Sequence, residues 1–352
     1  MLIGAAELRG YVRDVFVGEG CSGSEAERIG RYLVGANLTG HDSHGVIRVP
    51  RYVGWLRDGT VNADRAPEVV TDGGAFALLD ARFGFGQTAG PVAVAEGVAR
   101  AKRHGVAVVA LRHSGHLGRI GEWAEQAAEA GLASVHFVNV SGSMLVAPFG
   151  GAERRFSTAP FTAGVPVAGG PPVVLDFATS LVAEGKVLVA SKGGKPLPEG
   201  SLIEPDGTLS RDPDTLYSGR GAIRAFGEHK GSGLALMCEL LAGALTGSGC
   251  AGPPPKRFCN GMLSIYLAPD LGGPAEGFAE EVRRYLDFVA AARPAEPGGT
   301  VLLPGEPERL CRARRLAEGV PLTDEVWDSL RAVGVPHGLD AERYRAGRGG
   351  EA

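Results

Sequence analysis

The stretch Gly84-Phe85-Gly86-Gln87-Thr88-Ala89 decides between two architectures. It follows a short apolar run, Ala75–Ala81, and precedes a helical pattern that extends to His104. Between a strand and a helix, G-x-G-x-x-A is the turn on which a doubly wound sheet cradles a dinucleotide pyrophosphate. That arrangement also needs an acid at the end of the next strand, to hold a ribose. The next strand is Val106–Leu111, and it ends in Arg112-His113-Ser114. The fingerprint is therefore incomplete, and the glycines read as a tight turn before a helix.

Working outward, the densest polar chemistry lies at His41-Asp42-Ser43-His44, with Arg48 and Tyr52 following. If the chain turns helical near Ser43, then His44, Arg48 and Tyr52 fall four apart on one face. A proton donor, a guanidinium fork and a phenol together suit a small carboxylate whose neighbouring carbon undergoes proton transfer. Pro50 is the weak point of a continuous helix. The alternative is an ordinary polar helix start, with Asp42 or Ser43 as N-cap.

Length and composition set the frame. At 352 residues, with 44% hydrophobic and 22% charged residues, the chain suits a large α/β unit or two domains. A net charge of -4 argues against phosphate neutralisation, so no nucleic-acid partner is expected. Cys21, Cys238, Cys250, Cys259 and Cys311 are widely spaced and odd in number, which fits a reducing cytoplasm. No signal peptide is read at Met1-Leu2-Ile3-Gly4. Leu234–Leu245 is too short to span a membrane and carries Glu239. His113 and His116 have H-x-x-H spacing without a third ligand nearby, so no metal site is expected.

The remaining elements follow from periodicity. Glu7–Val17 and Ser24–Leu38 read as amphipathic helices, the second with a capping box formed by Ser24 and Glu27. Ile120–Ala130, Phe278–Ala292 and Thr323–Val333 are further helices, and Ser134–Val140, Val173–Phe177 and Leu263–Leu267 further strands. Phe156–Pro160, Lys192–Arg220 and Leu302–Glu308 read as loops, and Arg345–Ala352 as a frayed tail. Asp176, at a strand end, is placed to accept ribose hydroxyls or to cap the helix after it. Glycines and Lys230 before Leu234–Leu245 suit an anion at a helix N-terminus.

Taken in order, Gly-His-Asp-Ser-His-Gly (40–45), His-Leu-Gly-Arg-Ile-Gly (116–121), Val-Ala-Pro-Phe-Gly-Gly (146–151), Leu-Asp-Phe-Ala-Thr-Ser (175–180), Glu-His-Lys-Gly (228–231) and Leu-Pro-Gly-Glu (303–306) resemble the malate/L-lactate dehydrogenase family that lacks a Rossmann fold. The resemblance runs from about Leu8 to about Leu330. Ala36–Gly45, Phe85-Gly86-Gln87 and Glu239-Leu240-Leu241 resemble its bacterial hydroxycarboxylate dehydrogenase B type.

The resemblance implies an α+β fold. Residues 1–70 with 290–352 would form an α-rich substrate and dimerisation part, and 71–289 a mixed-sheet, non-Rossmann domain for NAD or NADP. It implies a homodimer moving hydride between the cofactor and a 2-oxo or 2-hydroxy acid. His116 and His44 become the acid/base candidates, and Ser43, Arg48 and Tyr52 the substrate residues. His44, Gly118, Arg119, Ile120, Val174, Leu175, Asp176, Phe177, Ala178, His229, Lys230, Asn260, Gly305, Glu306, Pro307 and Glu308 would line the cofactor. A cyclic imine carboxylate reductase and a catalytically silent binding protein are the competing readings. One departure stands out: Thr158-Ala159-Pro160 replaces the family's usual Thr-Asn-Pro.

Overall fold

The computed structural model describes residues 1–191, 195–217, 219–253 and 255–345. The expected frayed tail therefore lies, from 346 on, outside the described residues. The chain opens with β1 (Leu2–Ile3), α1 (Ala5–Gly18) and α2 (Gly23–Leu38). Helix α1 buries Leu8, Tyr11, Val12, Val15 and Phe16, the three- and four-residue spacing of one apolar face. The cap of α2 is Ser22, not Ser24: Ser22 Oγ accepts from Glu25 N at 3.3 Å. Ser22 has the extended backbone a cap needs, and Asp64 holds its amide at 2.9 Å.

Past Gly40 the expected single helical face does not form. Two 3-10 turns, Asp42–His44 and Val46–Arg48, are separated by extended Gly45, and only then does α3 (Val49–Arg57) begin. Pro50 lies in the first turn of α3, where its missing N–H costs nothing.

Next come β2 (Glu68–Asp72), β3 (Phe76–Asp80), α4 (Gly86–His104), β4 (Val106–Ser114), α5 (Gly121–Glu129), β5 (Ala133–Ser141), β6 (Pro160–Val165) and β7 (Val173–Ala178). After α6 (Glu184–Ser191), the segment read as irregular, Lys192–Arg220, carries β8 (Leu202–Ile203), β9 (Leu209–Ser210) and α7 (Asp214–Tyr217), and β10 (Ala222–Ile223) follows it. Residues 192–194 and 218 of that segment lie outside the described residues. These pieces close on a small core that includes Val187, Leu197, Leu202, Leu216 and Ile223. Helix α8 (His229–Cys238) starts five residues before the apolar run and continues as a π-helix, Glu239–Ala244. The chain ends with β11 (Cys259–Leu267), α9 (Ala275–Ala290), α10 (Glu306–Glu318), β12 (Val320–Pro321), α11 (Asp324–Gly334) and α12 (Ala341–Arg345).

The main sheet has the order β2-β3-β4-β11-β5-β6-β7. Only β3 and β4 pair in parallel; every other neighbour pair is antiparallel. A doubly wound parallel sheet is thereby ruled out, and the fold is α+β with a mixed sheet. The first core joins both chain ends, packing Tyr11, Phe16, Ile29 and Leu33 with Val320, Trp327 and Leu330. The β1–β12 pair ties the same ends. A second core, with Leu79, Val109, Leu111, Trp123 and Tyr266, fills the space between the sheet and helices α4 and α5.

The G-x-G turn has its own explanation in this packing. Gly115 N donates to Gly84 O at 2.7 Å. A Cβ on Gly86 would stand 2.2 Å from His116 O and 2.7 Å from Leu117 Cα. The space a pyrophosphate would need is taken by the chain's own residues 115–117, so these glycines admit backbone.

Candidate active site

The site forms where the two 3-10 turns, α3 and the loop after β4 meet. The first turn is fixed from both chain ends. Asp42 receives a bidentate fork from Arg315 of α10, at 2.6 and 2.9 Å, and Asn37 Nδ2 at 2.6 Å. Asn37 Oδ1 in turn accepts Val46 N at 2.9 Å. Asp42 is thus a positioning group, and Ser43 and His44 face the site, with Ser43 Oγ 3.0 Å from His44 Nδ1.

Tyr52 and His116 arrive on separate elements and meet at 2.7 Å between the phenol oxygen and Nδ1. His44 and His116 stack, centroids 5.6 Å apart at 12°. Gln87, in the first turn of α4, donates Nε2 both to Tyr52 OH and to His116 O, each at 3.2 Å. Since Gln87 fills the acceptor side of the Tyr52 oxygen, the phenol hydrogen points to His116 Nδ1. The neutral ring then carries its proton on Nε2. Sequence reasoning gave Gln87 no role; its signals were its place in the Phe85-Gly86-Gln87 resemblance and a polar side chain in an otherwise small-residue helix start.

Arg48 uses Nε on Ser43 O at 2.6 Å and Nη2 on Glu184 Oε2 at 3.2 Å. Glu184 comes from α6 and carried no signal in the sequence. Burial dominates the titration of this site. It pushes His44 down to about 3, with Arg48, His41 and Arg119 adding to it. It also pushes His116 well down, helped by Arg48 and His44, and raises Tyr52.

The expected cofactor residues fall into groups. Gly118, Arg119, Gln87 and His44 line one crevice with Tyr32 and Trp123. Arg119 is buried and bonded to Glu125 and, at 3.4 Å, to Glu122. Asp176 does not cap the helix after it. Its Oδ2 accepts Gly121 N of α5 at 2.8 Å and its Oδ1 accepts Thr162 Oγ1 at 2.7 Å, because α5 starts directly against β7.

The start of α10 joins this region through Val174 N to Pro304 O at 3.3 Å and Glu308 to His41 at 3.2 Å. His229 and Lys230 are exposed at the start of α8; the preceding Phe226 packs on Phe177, centroids 5.2 Å apart. Asn260 is buried with both amide ends used, on Leu117 N at 2.8 Å and Asn139 O at 2.9 Å, so it holds the His116 loop. His113 turns to Asp80 at 3.1 Å, apart from the His44–His116 pair. Among the described residues no group of three His, Cys, Asp or Glu could hold a metal ion, and no helix is long and apolar enough to cross a membrane.

Ala159 occupies a left-handed backbone, φ +35, and is fully buried beside Ala235 and Cys238. The loop is held by Ala159 N donating to Ser157 Oγ at 3.2 Å.

A sequence profile of the family described as Malate/L-lactate dehydrogenase matches residues 3–331. Hydroxycarboxylate dehydrogenase B of Escherichia coli (strain K12) is 39% identical over 342 residues, covering 94% of each chain. A Delta(1)-pyrroline-2-carboxylate/Delta(1)-piperideine-2-carboxylate reductase of Pseudomonas syringae pv. tomato is 36% identical, covering 93% of this chain and 94% of that protein. Among solved structures, sulfolactate dehydrogenase from Methanocaldococcus jannaschii superposes with a TM-score of 0.86 at 31% identity, over 98% of this chain and 99% of that one.

Proposed function

Because the chain belongs to the malate/L-lactate dehydrogenase family, we propose that it interconverts 2-oxo and 2-hydroxy acids with NAD or NADP. The observation that carries this reading is the chain of bonds from Gln87 through Tyr52 to His116 Nδ1, set beside Arg48. The cofactor supplies hydride when bound. The residues present suit it: Gln87 Oε1 and Arg119 Nε are buried without a protein partner beside His44, an acceptor and a donor for a polar ring substituent. Gly118 to Ile120, Val174 to Ala178, His229, Lys230 and Gly305 to Glu308 would hold the rest.

His116 passes its Nε2 proton to the substrate oxygen while Tyr52 gives its phenol proton to Nδ1. Burial works against the tyrosinate so formed, and Gln87 Nε2–H and the charge of Arg48 offset part of that cost. Arg48 anchors the substrate carboxylate with its guanidinium, fixing which carbonyl face is open to attack. His44 stacks under His116 and excludes water.

Residues 1–70 with 290–352 serve substrate and dimer, and 71–289 the cofactor. A homodimer is supported by Leu310 and Leu316 of α10, each 61% exposed, and the exposed Leu236, Met237 and Leu240 of α8 and its π-helix would carry the contact into the cofactor part. Free, scattered cysteines support a cytoplasmic setting.

The test is a panel of 2-oxo acids and cyclic imine carboxylates, run with NADH and with NADPH and followed by nicotinamide absorbance. Turnover of at least one 2-oxo acid is expected. Turnover of imines alone would move the activity to carbon–nitrogen reduction, and cofactor binding without turnover would favour a silent binding protein.

A further inference from the structure

Helix α6 presses on the catalytic turn. A Cβ added to Gly185 would stand 2.4 Å from Ser43 Cβ, so only glycine lets the helix approach this closely. The approach delivers Glu184 to Arg48 and its neighbour Arg51. Its side chain is 14% exposed; Oε2 accepts Arg48 Nη2 at 3.2 Å, and Oε1 lies 3.8 Å from Arg51 Nη1. Tyr217 OH closes over it, 3.5 Å from Oε1.

The charges at this end of the site can be counted. Arg48 and Arg51 bring two positive charges and Glu184 one negative charge, leaving one net positive. A single substrate carboxylate neutralises it, and Arg48 Nη1, which has no protein acceptor among the described residues, is free to bond one. A second carboxylate on the substrate would meet Glu184 with no uncommitted cation to offset it. Arg119 is engaged by Glu122 and Glu125, and His44 and His116 are held neutral by burial. Lys186, two residues along α6, is exposed, so its charge acts through water.

We propose that Glu184 is a specificity-determining residue that restricts the enzyme to 2-oxo acids with one carboxylate and an uncharged side chain. Like charges confined together discriminate by repulsion, one of the two routes to selectivity. The inference rests on the 2-oxo acid reading above.

The experiment measures kcat/KM for pyruvate and phenylpyruvate against oxaloacetate and 2-oxoglutarate, in the parent enzyme, Glu184→Gln and Glu184→Asp. The parent should favour monocarboxylates by more than tenfold. Glu184→Gln should narrow the ratio at least tenfold, mainly by lowering KM for the dicarboxylates, and Glu184→Asp should keep the parent's order. An unchanged ratio in a Glu184→Gln enzyme that still turns over, or a parent that prefers dicarboxylates, overturns the inference alone. A parent that reduces no 2-oxo acid overturns the functional reading and this inference with it. Should Glu184→Gln not fold, competitive inhibition of the parent by oxamate and by tartronate carries the same comparison. Oxamate should bind at least tenfold more tightly, and equal binding overturns the proposal.

Discussion

The Gly84–Ala89 turn and the His41–Arg48 turn both follow a regular element and both carry glycine at the bend, yet they do opposite work. The first is packed solid: its glycines receive the backbone of residues 115–117. The second is held open by charge, with Asp42 gripped by Arg315 and the side chains beside it turned to the site. Glycine spacing reports that something comes close; it does not report what. The first turn nevertheless serves the second, because the backbone it admits is the loop that brings His116 to Tyr52.

The largest effect is expected from breaking the packed turn. In Gly86→Ala a methyl meets backbone at 2.2 and 2.5 Å, where no rotamer change gives relief. Overpacking of this kind costs up to about 3 kcal/mol, and urea unfolding should register it together with lost turnover. A variant of parental stability that merely binds cofactor less tightly would restore the turn to nucleotide binding.

That difference also marks what the sequence could reveal. Strands β3, β4, β5, β7 and β11 were legible because each is an apolar run that ends up in the sheet. Helix α10 was not: it exposes Leu310 and Leu316 and buries Arg315, so it has no apolar stripe to detect, and Pro304, Gly305 and Pro307 read as loop. Strand β6 starts at a proline and was hidden for a similar reason. At the site, Ser43, His44 and Arg48 are neighbours in sequence and stood out together. Gln87 and Glu184 reach it only through the third dimension, and nothing local distinguishes them from ordinary polar residues.

The charged turn sharpens the comparison next. Arg48→Lys keeps the charge but not the planar fork that reaches Ser43 O and Glu184 together. Loss of one charge-assisted bond is worth about 1.5–3 kcal/mol, so kcat/KM for a 2-oxo acid should fall roughly ten- to a hundredfold. Steady-state kinetics at fixed pH would check this, and an unchanged kcat/KM would remove Arg48 from substrate binding.

A smaller effect separates burial from function. His136, fully buried between Ser134 and Ser264 in the sheet, is pushed down to about 3, as is His44. Both folded values lie below the ordinary histidine value near 6.5, so the unfolded chain takes up protons that the folded chain refuses. Stability is therefore full above about pH 6.5 and falls as pH drops toward 3, by up to about 1.4 kcal/mol per pH unit for each such histidine. Urea unfolding at pH 7 and pH 5 should show the loss, and His136→Asn should make it shallower while the pH profile of turnover stays as in the parent. A flat response between those two pH values would contradict the buried, neutral state of both rings.

The account's central claim is that His116, oriented by Tyr52 and Gln87, moves the proton and that His44 supports it. The most direct measurement is the pH profile of kcat in His116→Ala and His44→Ala, with a 2-oxo acid and reduced cofactor both saturating. A general acid is worth about a hundred- to ten-thousandfold, so His116→Ala should lose that much in kcat and lose the acid limb of the profile, which burial of His116 moves below the ordinary histidine range. His44→Ala should keep the parent's profile and show its loss mainly in KM. The reverse pattern, a parental profile without His116 and a flat one without His44, would make His44 the proton donor and contradict the account.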